Sequence, residues 1–131
     1  MRLLLDTHVW LWMITGDKRL TEGHRATLED PGSDLYLSAA AVWELAIKSV
    51  AGKVKYSGSP SVQIPIHIER SGVYPLALTV DHAIAAADLP MHHRDPFDRM
   101  MVAQAGIEEM TLATADRRLA AYGVPILEVG P

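Results

Sequence analysis

The sequence predicts an α/β fold with a mostly parallel central sheet. Short apolar runs such as Leu3-Leu4-Leu5 alternate along the chain with stretches of helical periodicity. These runs are apolar at consecutive positions, as strands buried on both faces must be. The length, 131 residues, matches one domain spanning 1–131, with no repeat, low-complexity stretch or linker to divide it.

Each element has a local reason. Residues 2–5 form a first strand ending at Asp6, and 7–14 a helix stopped near Gly16. Thr21 caps a second helix reaching about residue 30, which Pro31-Gly32 breaks. Residues 35–37 form a second strand. Ser38 then caps a helix over 39–50, closed by Gly52. Its residues Ala39, Val42, Trp43, Ala46, Ile47 and Val50 recur at spacings of three and four, as one apolar stripe. Residues 56–60 read as a loop and 62–70 as a helix weakened by Pro65. A strand over 73–78 precedes an Ala-rich helix over 81–88, ended by Pro90. Residues 92–96 are a loop and 97–109 a helix. A short strand at 112–113, a helix over 115–122 and a last strand over 125–129 complete the chain.

Composition narrows the chemistry. The absence of cysteine excludes thiol catalysis, Cys-ligated zinc and Fe–S clusters. The 49% hydrophobic content excludes a disordered chain. No apolar run approaches the ~20 residues a bilayer needs. The N-terminal leucines, interrupted by Asp6 and His8, do not make a signal peptide. The expectation is a soluble, cytoplasmic protein with no membrane partner. Sixteen acidic residues against twelve basic ones give a net charge of −4, which by itself argues against a nucleic-acid partner.

The positions of the acids reverse that expectation. In parallel α/β sheets the ligand site lies beyond the carboxyl ends of the strands. Asp6 directly follows the first strand, Asp116 follows the 112–113 strand, and Asp98 begins the helix after the 92–96 loop. Glu44 lies in the helix that leaves the second strand. Each acid has a structural reading as well. Asp6, Asp95 and Asp116 suit helix N-termini, and Glu44 with Lys48 is an i,i+4 pair. Caps do not explain why several acids should meet at one sheet edge. Two carboxylates ~4 Å apart repel by about 4 kcal/mol at an effective dielectric of 20. A protein relieves this by protonating one or by binding a cation. Oxygen ligands without cysteine select a hard ion, Mg²⁺ or Mn²⁺.

The segments Leu3-Leu4-Leu5-Asp6-Thr7-His8, Ser38 to Lys48, Arg94-Asp95-Pro96-Phe97-Asp98-Arg99 and Leu112-Ala113-Thr114-Ala115-Asp116 together resemble the PIN-domain nucleases. More narrowly they resemble the VapC toxins of VapBC toxin–antitoxin systems. The resemblance covers nearly the whole chain, and the ordered set of four segments carries it. It implies a three-layer α/β/α fold and an endoribonuclease using one or two Mg²⁺ or Mn²⁺ ions. The family's acids fall on Asp6, Glu44, Asp98 and Asp116, and its hydroxyl residue on Thr114. The implied reaction is hydrolysis of RNA phosphodiester bonds by metal-activated water. The implied partners are RNA, a second copy in a homodimer, and a cognate VapB-type antitoxin.

Other residues are expected near this chemistry. Asp95 is either a ligand or the cap of the following helix, with Pro96 at its first position. His93 stands close enough to Asp98 in sequence to touch phosphate or to support a ligand. Arg94, Arg99 and Lys48 are candidate RNA contacts, and His8 packs in the first helix. Trp10, Trp12 and Trp43 read as core or dimer-interface residues. With the four acids assigned to a metal site, the rest of the chain is neutral. Two alternatives stay open: a catalytically inactive PIN-like module binding RNA or protein, and another Mg²⁺-dependent α/β phosphohydrolase. A phosphatase of the haloacid-dehalogenase type needs an Asp where His8 stands.

Overall fold

Five parallel strands carry the molecule, in the computed structural model that describes residues 1–56 and 58–131. The expected loop over 56–60 includes Ser57, which lies outside the described residues. The order along the chain is β1 (Arg2–Leu5), α1 (Thr7–Thr15), α2 (Glu22–Leu28), β2 (Asp34–Ser38), α3 (Ala39–Val50) and α4 (Pro60–Ser71). Then follow β3 (Tyr74–Leu76), α5 (Val80–Asp88), α6 (Pro96–Glu108), β4 (Thr111–Thr114), a 3₁₀ helix (Arg117–Tyr122) and β5 (Ile126–Glu128).

The sheet order is β3-β2-β1-β4-β5. The chain therefore steps outward from β1 to β3, then crosses to the other side of β1. With right-handed crossovers, that reversal puts helices on both faces, giving the three-layer α/β/α arrangement. The order reverses between β1 and β4, the place where such sheets open a crevice at their carboxyl ends. Leu3, Leu4 and Leu5 are fully buried at the centre, each worth roughly 1.5–3 kcal/mol in apolar burial. Their register decides the site. Leu5 stands opposite Ala113, so the next residues along, Asp6 and Thr114, leave the sheet side by side.

Several expected elements differ in detail. β3 covers Tyr74–Leu76 rather than 73–78, since Pro75 lacks an N–H and the strand pairs with β2 alone. α4 continues through Pro65 in its middle, and buried Ile64 anchors it to the core. The expected helix over 115–122 is a 3₁₀ helix starting at Arg117. α5 starts one residue earlier than expected, in a capping box between Thr79 and His82. α1 does stop at Gly16, in the left-handed conformation at φ 66°.

The largest correction concerns α3. The expected apolar stripe is split: Val42 and Ala46 pack half-buried against the core, while Ala39, Trp43, Ile47 and Val50 do not. Ala40, Ala41, Glu44 and Leu45 face inward, while Trp43, Ile47 and Val50 are exposed. Small alanines let α3 approach the neighbouring elements, and that approach sinks Glu44. Trp43 is thus not a core residue; it meets Phe97 edge-on at 5.5 Å between ring centroids. Trp10 and Trp12 are core, as expected.

Candidate active site

A cleft of about 440 Å³ opens at the carboxyl ends of β1 and β4. Asp6, Glu44, Asp98 and Asp116 all line it, with His8, Trp12, Lys48, Asp95 and Arg118. Four separate elements deliver the acids. Asp6 ends β1 and caps α1, although its bond from His8 N–H is long at 3.4 Å. Its other oxygen accepts the Thr114 hydroxyl at 2.7 Å. Asp116 follows β4, and its backbone N–H donates to the same Thr114 oxygen at 3.0 Å. Thr114 therefore links the two strand ends directly.

Glu44 is 3% exposed, and its two oxygens are held by different partners. Thr7 Oγ1 donates to Oε1 at 2.6 Å, and Lys48 Nζ to Oε2 at 2.6 Å. Thr7 was not anticipated as a site residue; its place directly after Asp6 was the available signal. For Lys48 ammonium, burial pulls the pKa down. The bond and charge of Glu44, with Asp95 and Asp98, outweigh this and hold it above the usual value.

Asp98 is the least compensated member. Burial first, then the charges of Asp6, Asp95, Glu44 and Asp116, push its pKa up to about 8. Burial also raises Asp6, opposed by the Thr114 hydroxyl and the neighbouring His8. Asp116 goes the other way. The Arg118 guanidinium clamps both its oxygens, at 2.9 and 2.8 Å, and holds it down at about 2. Asp98 and Asp116 are thus pushed in opposite directions within one cleft, the first by burial and crowded charge, the second by its arginine partner.

The remaining candidates separate cleanly. Asp95 caps α6, its Oδ1 accepting the N–H groups of Phe97 and Asp98 at 2.8 and 3.1 Å. His93 enters the cluster, with Nε2 at 3.1 Å from Asp116 and 3.4 Å from Asp98. Atoms of His93, Asp98 and Asp116 lie within 4.8 Å of one another, a spacing that could hold a metal ion. Arg94 is exposed. Arg99 is not available to RNA, contrary to expectation. It is 8% exposed, and its guanidinium donates to the carbonyls of Ala86, Leu89 and Pro90 at 2.9, 2.9 and 3.0 Å. Those carbonyls sit at and beyond the end of α5, where helical partners run out. His8 does not pack inside; it is exposed at the cleft rim.

The donor set is carboxylate oxygen with one imidazole nearby, which fits a hard divalent ion. Among the described residues no helix is long and apolar enough to cross a membrane.

The PIN domain family matches residues 3–125. No curated protein sequence matches the chain. Among solved structures, a chain of VapBC2 from Rickettsia felis bound to a promoter DNA fragment has a TM-score of 0.74 at 14% identity, with 98% of each chain covered. A chain of DNA-bound VapBC from Salmonella typhimurium gives 0.73 at 18% identity, again covering 98% of each. A chain of FitAcB from Neisseria gonorrhoeae gives 0.64 at 20% identity, covering 96% of each.

Proposed function

This chain belongs to the PIN domain family, and we propose that it is a VapC-type toxin, a Mg²⁺- or Mn²⁺-dependent endoribonuclease acting in the cytoplasm as one domain over 1–131. The observation carrying this reading is one cleft lined by Asp6, Glu44, Asp98 and Asp116, with Asp98 raised to about 8 by burial and by its neighbours' charge.

Asp6 and Asp98, with Asp116 and Glu44, would hold the ion directly or through water. The ion, one or two when bound, supplies an activated water and neutralises charge on the scissile phosphate. Thr114 keeps Asp6 turned toward the cleft. Lys48 fixes Glu44 and adds positive charge beside the phosphate. Arg94, exposed beside the cleft, contacts the RNA backbone. The solved relatives in toxin–antitoxin complexes support a VapB-type antitoxin as partner. Exposed Trp43, Ile47 and Val50 on α3 support a homodimer through that face.

The test is cleavage of single-stranded RNA by purified protein with Mg²⁺ or Mn²⁺. Cleavage should stop with chelator and in Asp6→Asn and Asp98→Asn. Products should carry 5′-phosphate and 3′-hydroxyl ends. Cleavage that survives both substitutions, or 2′,3′-cyclic phosphate ends, overturns the reading.

A further inference from the structure

By distance alone His93 reads as a third ligand beside Asp98 and Asp116. Its other ring nitrogen decides otherwise. The backbone N–H of Asp95 donates to His93 Nδ1 at 3.0 Å. A nitrogen that accepts a hydrogen bond carries no proton, and a neutral imidazole has one N–H. The proton therefore sits on Nε2, the atom facing the carboxylates. An Nε2–H has no lone pair to offer a cation. It donates to Asp116 Oδ2 at 3.1 Å and faces Asp98 Oδ2 at 3.4 Å.

We propose that His93 is a positioning residue of this site and not a ligand, holding the Asp116 carboxylate in place through Nε2–H. This rests on the metal-site reading above.

The fold, not a metal, sets the ring. His93 N–H donates to the Tyr122 hydroxyl at 2.9 Å, and its carbonyl accepts from buried Arg99 at 3.4 Å. The Asp95 N–H is fixed in direction because Asp95 caps α6 with Pro96 next. The loop backbone is thus held on both sides of the imidazole. Asp116 has a second clamp in Arg118, but that side chain is 72% exposed. Such an exposed side chain is screened by salt. The His93 side chain is 9% exposed and its loop is held on both sides, so it adds to Arg118 a donor of fixed direction on Asp116 Oδ2. Groups that orient a ligand in this way typically govern metal affinity by 10–100-fold.

The test pairs a direct view of the ring with metal affinity. Long-range ¹⁵N–¹H spectra of the full chain should show His93 as the Nε2–H tautomer, both metal-free and with saturating Mg²⁺. An Nδ1–H tautomer, or loss of the Nε2 proton on adding Mg²⁺, overturns the inference. Calorimetric Mn²⁺ titration adds the second arm. His93→Asn keeps an acceptor for the Asp95 N–H but has no donor at the Nε2 position. It should weaken Mn²⁺ binding by about 10-fold or more. His93→Gln restores a donor there and should recover most of the affinity. Wild type that binds Mn²⁺ while His93→Asn binds it as tightly overturns the inference alone. Wild type that binds no Mn²⁺ overturns the metal-site reading and the inference with it.

Discussion

Thr114 donates its hydroxyl to Asp6 across 2.7 Å, joining residues 108 positions apart at the ends of β4 and β1. Thr114 is fully buried, so the bond has no water to replace it. Thr114→Val keeps the shape and removes the donor. It should destabilise the protein by about 1–3 kcal/mol, the cost of a buried polar group left unpaired. Thr114→Ser should restore most of that. Chemical denaturation of the three proteins at one pH checks it.

The raised Asp98 predicts a pH slope in metal-free protein. Its carboxyl titrates near 8 folded against an ordinary 3.8, so the native state keeps a proton the unfolded chain has lost. The stabilisation is complete below pH 3.8 and disappears as pH rises toward 8. Asp116, lowered to about 2, acts in the opposite direction and only below about pH 3.8. Melting temperatures in chelator should therefore fall between pH 5 and 8. Asp98→Asn should flatten that fall. Because the proton competes with the ion, Mn²⁺ affinity should rise over the same interval.

Arg99 predicts a structural lesion at a position that looks like a nucleic-acid contact. Three short bonds to α5 carbonyls and to the turn beyond disappear in Arg99→Ala. The loss should be about 3 kcal/mol or more. Arg99→Lys should not rescue it, since an ammonium cannot reproduce the forked donors. Thermal unfolding of both variants measures this.

Trp43, Ile47 and Val50 are 62, 43 and 84% exposed on one helix. A dimer through this face should separate in a Trp43→Glu, Val50→Glu double variant. Sedimentation velocity should show a dimer for wild type and a monomer for the variant, with the melting temperature of the monomer fold retained.

How much of this was legible beforehand varies element by element. Strand β1 and the N-caps at Ser38, Thr21 and Asp95 could be read locally, because they depend on neighbours two or three residues away. The orientation of α3 could not. The expected stripe overlaps the buried face only at Val42 and Ala46, and Trp43, Ile47 and Val50 face outward. Periodicity reports that a helix has an apolar side, not which side the fold chooses to cover. Arg99 misled for a related reason, since an arginine beside acids looks the same in sequence whether it meets phosphate or a helix end.

The sequence by itself determined the alternation of strands and helices, the caps, and four acids, two placed after strands, one in the helix that leaves a strand and one opening the helix after the 92–96 loop. Those are short-range properties of the chain. Only the tertiary structure decided that β4 lies beside β1, and with it that Asp6, Thr114 and Asp116 share one edge. It also decided that His93, 23 residues before Asp116, turns its Nε2 onto that carboxylate. Such contacts depend on strand register and on the direction of a crossover. The energy that selects them comes from packing the whole sheet, and no local segment encodes it.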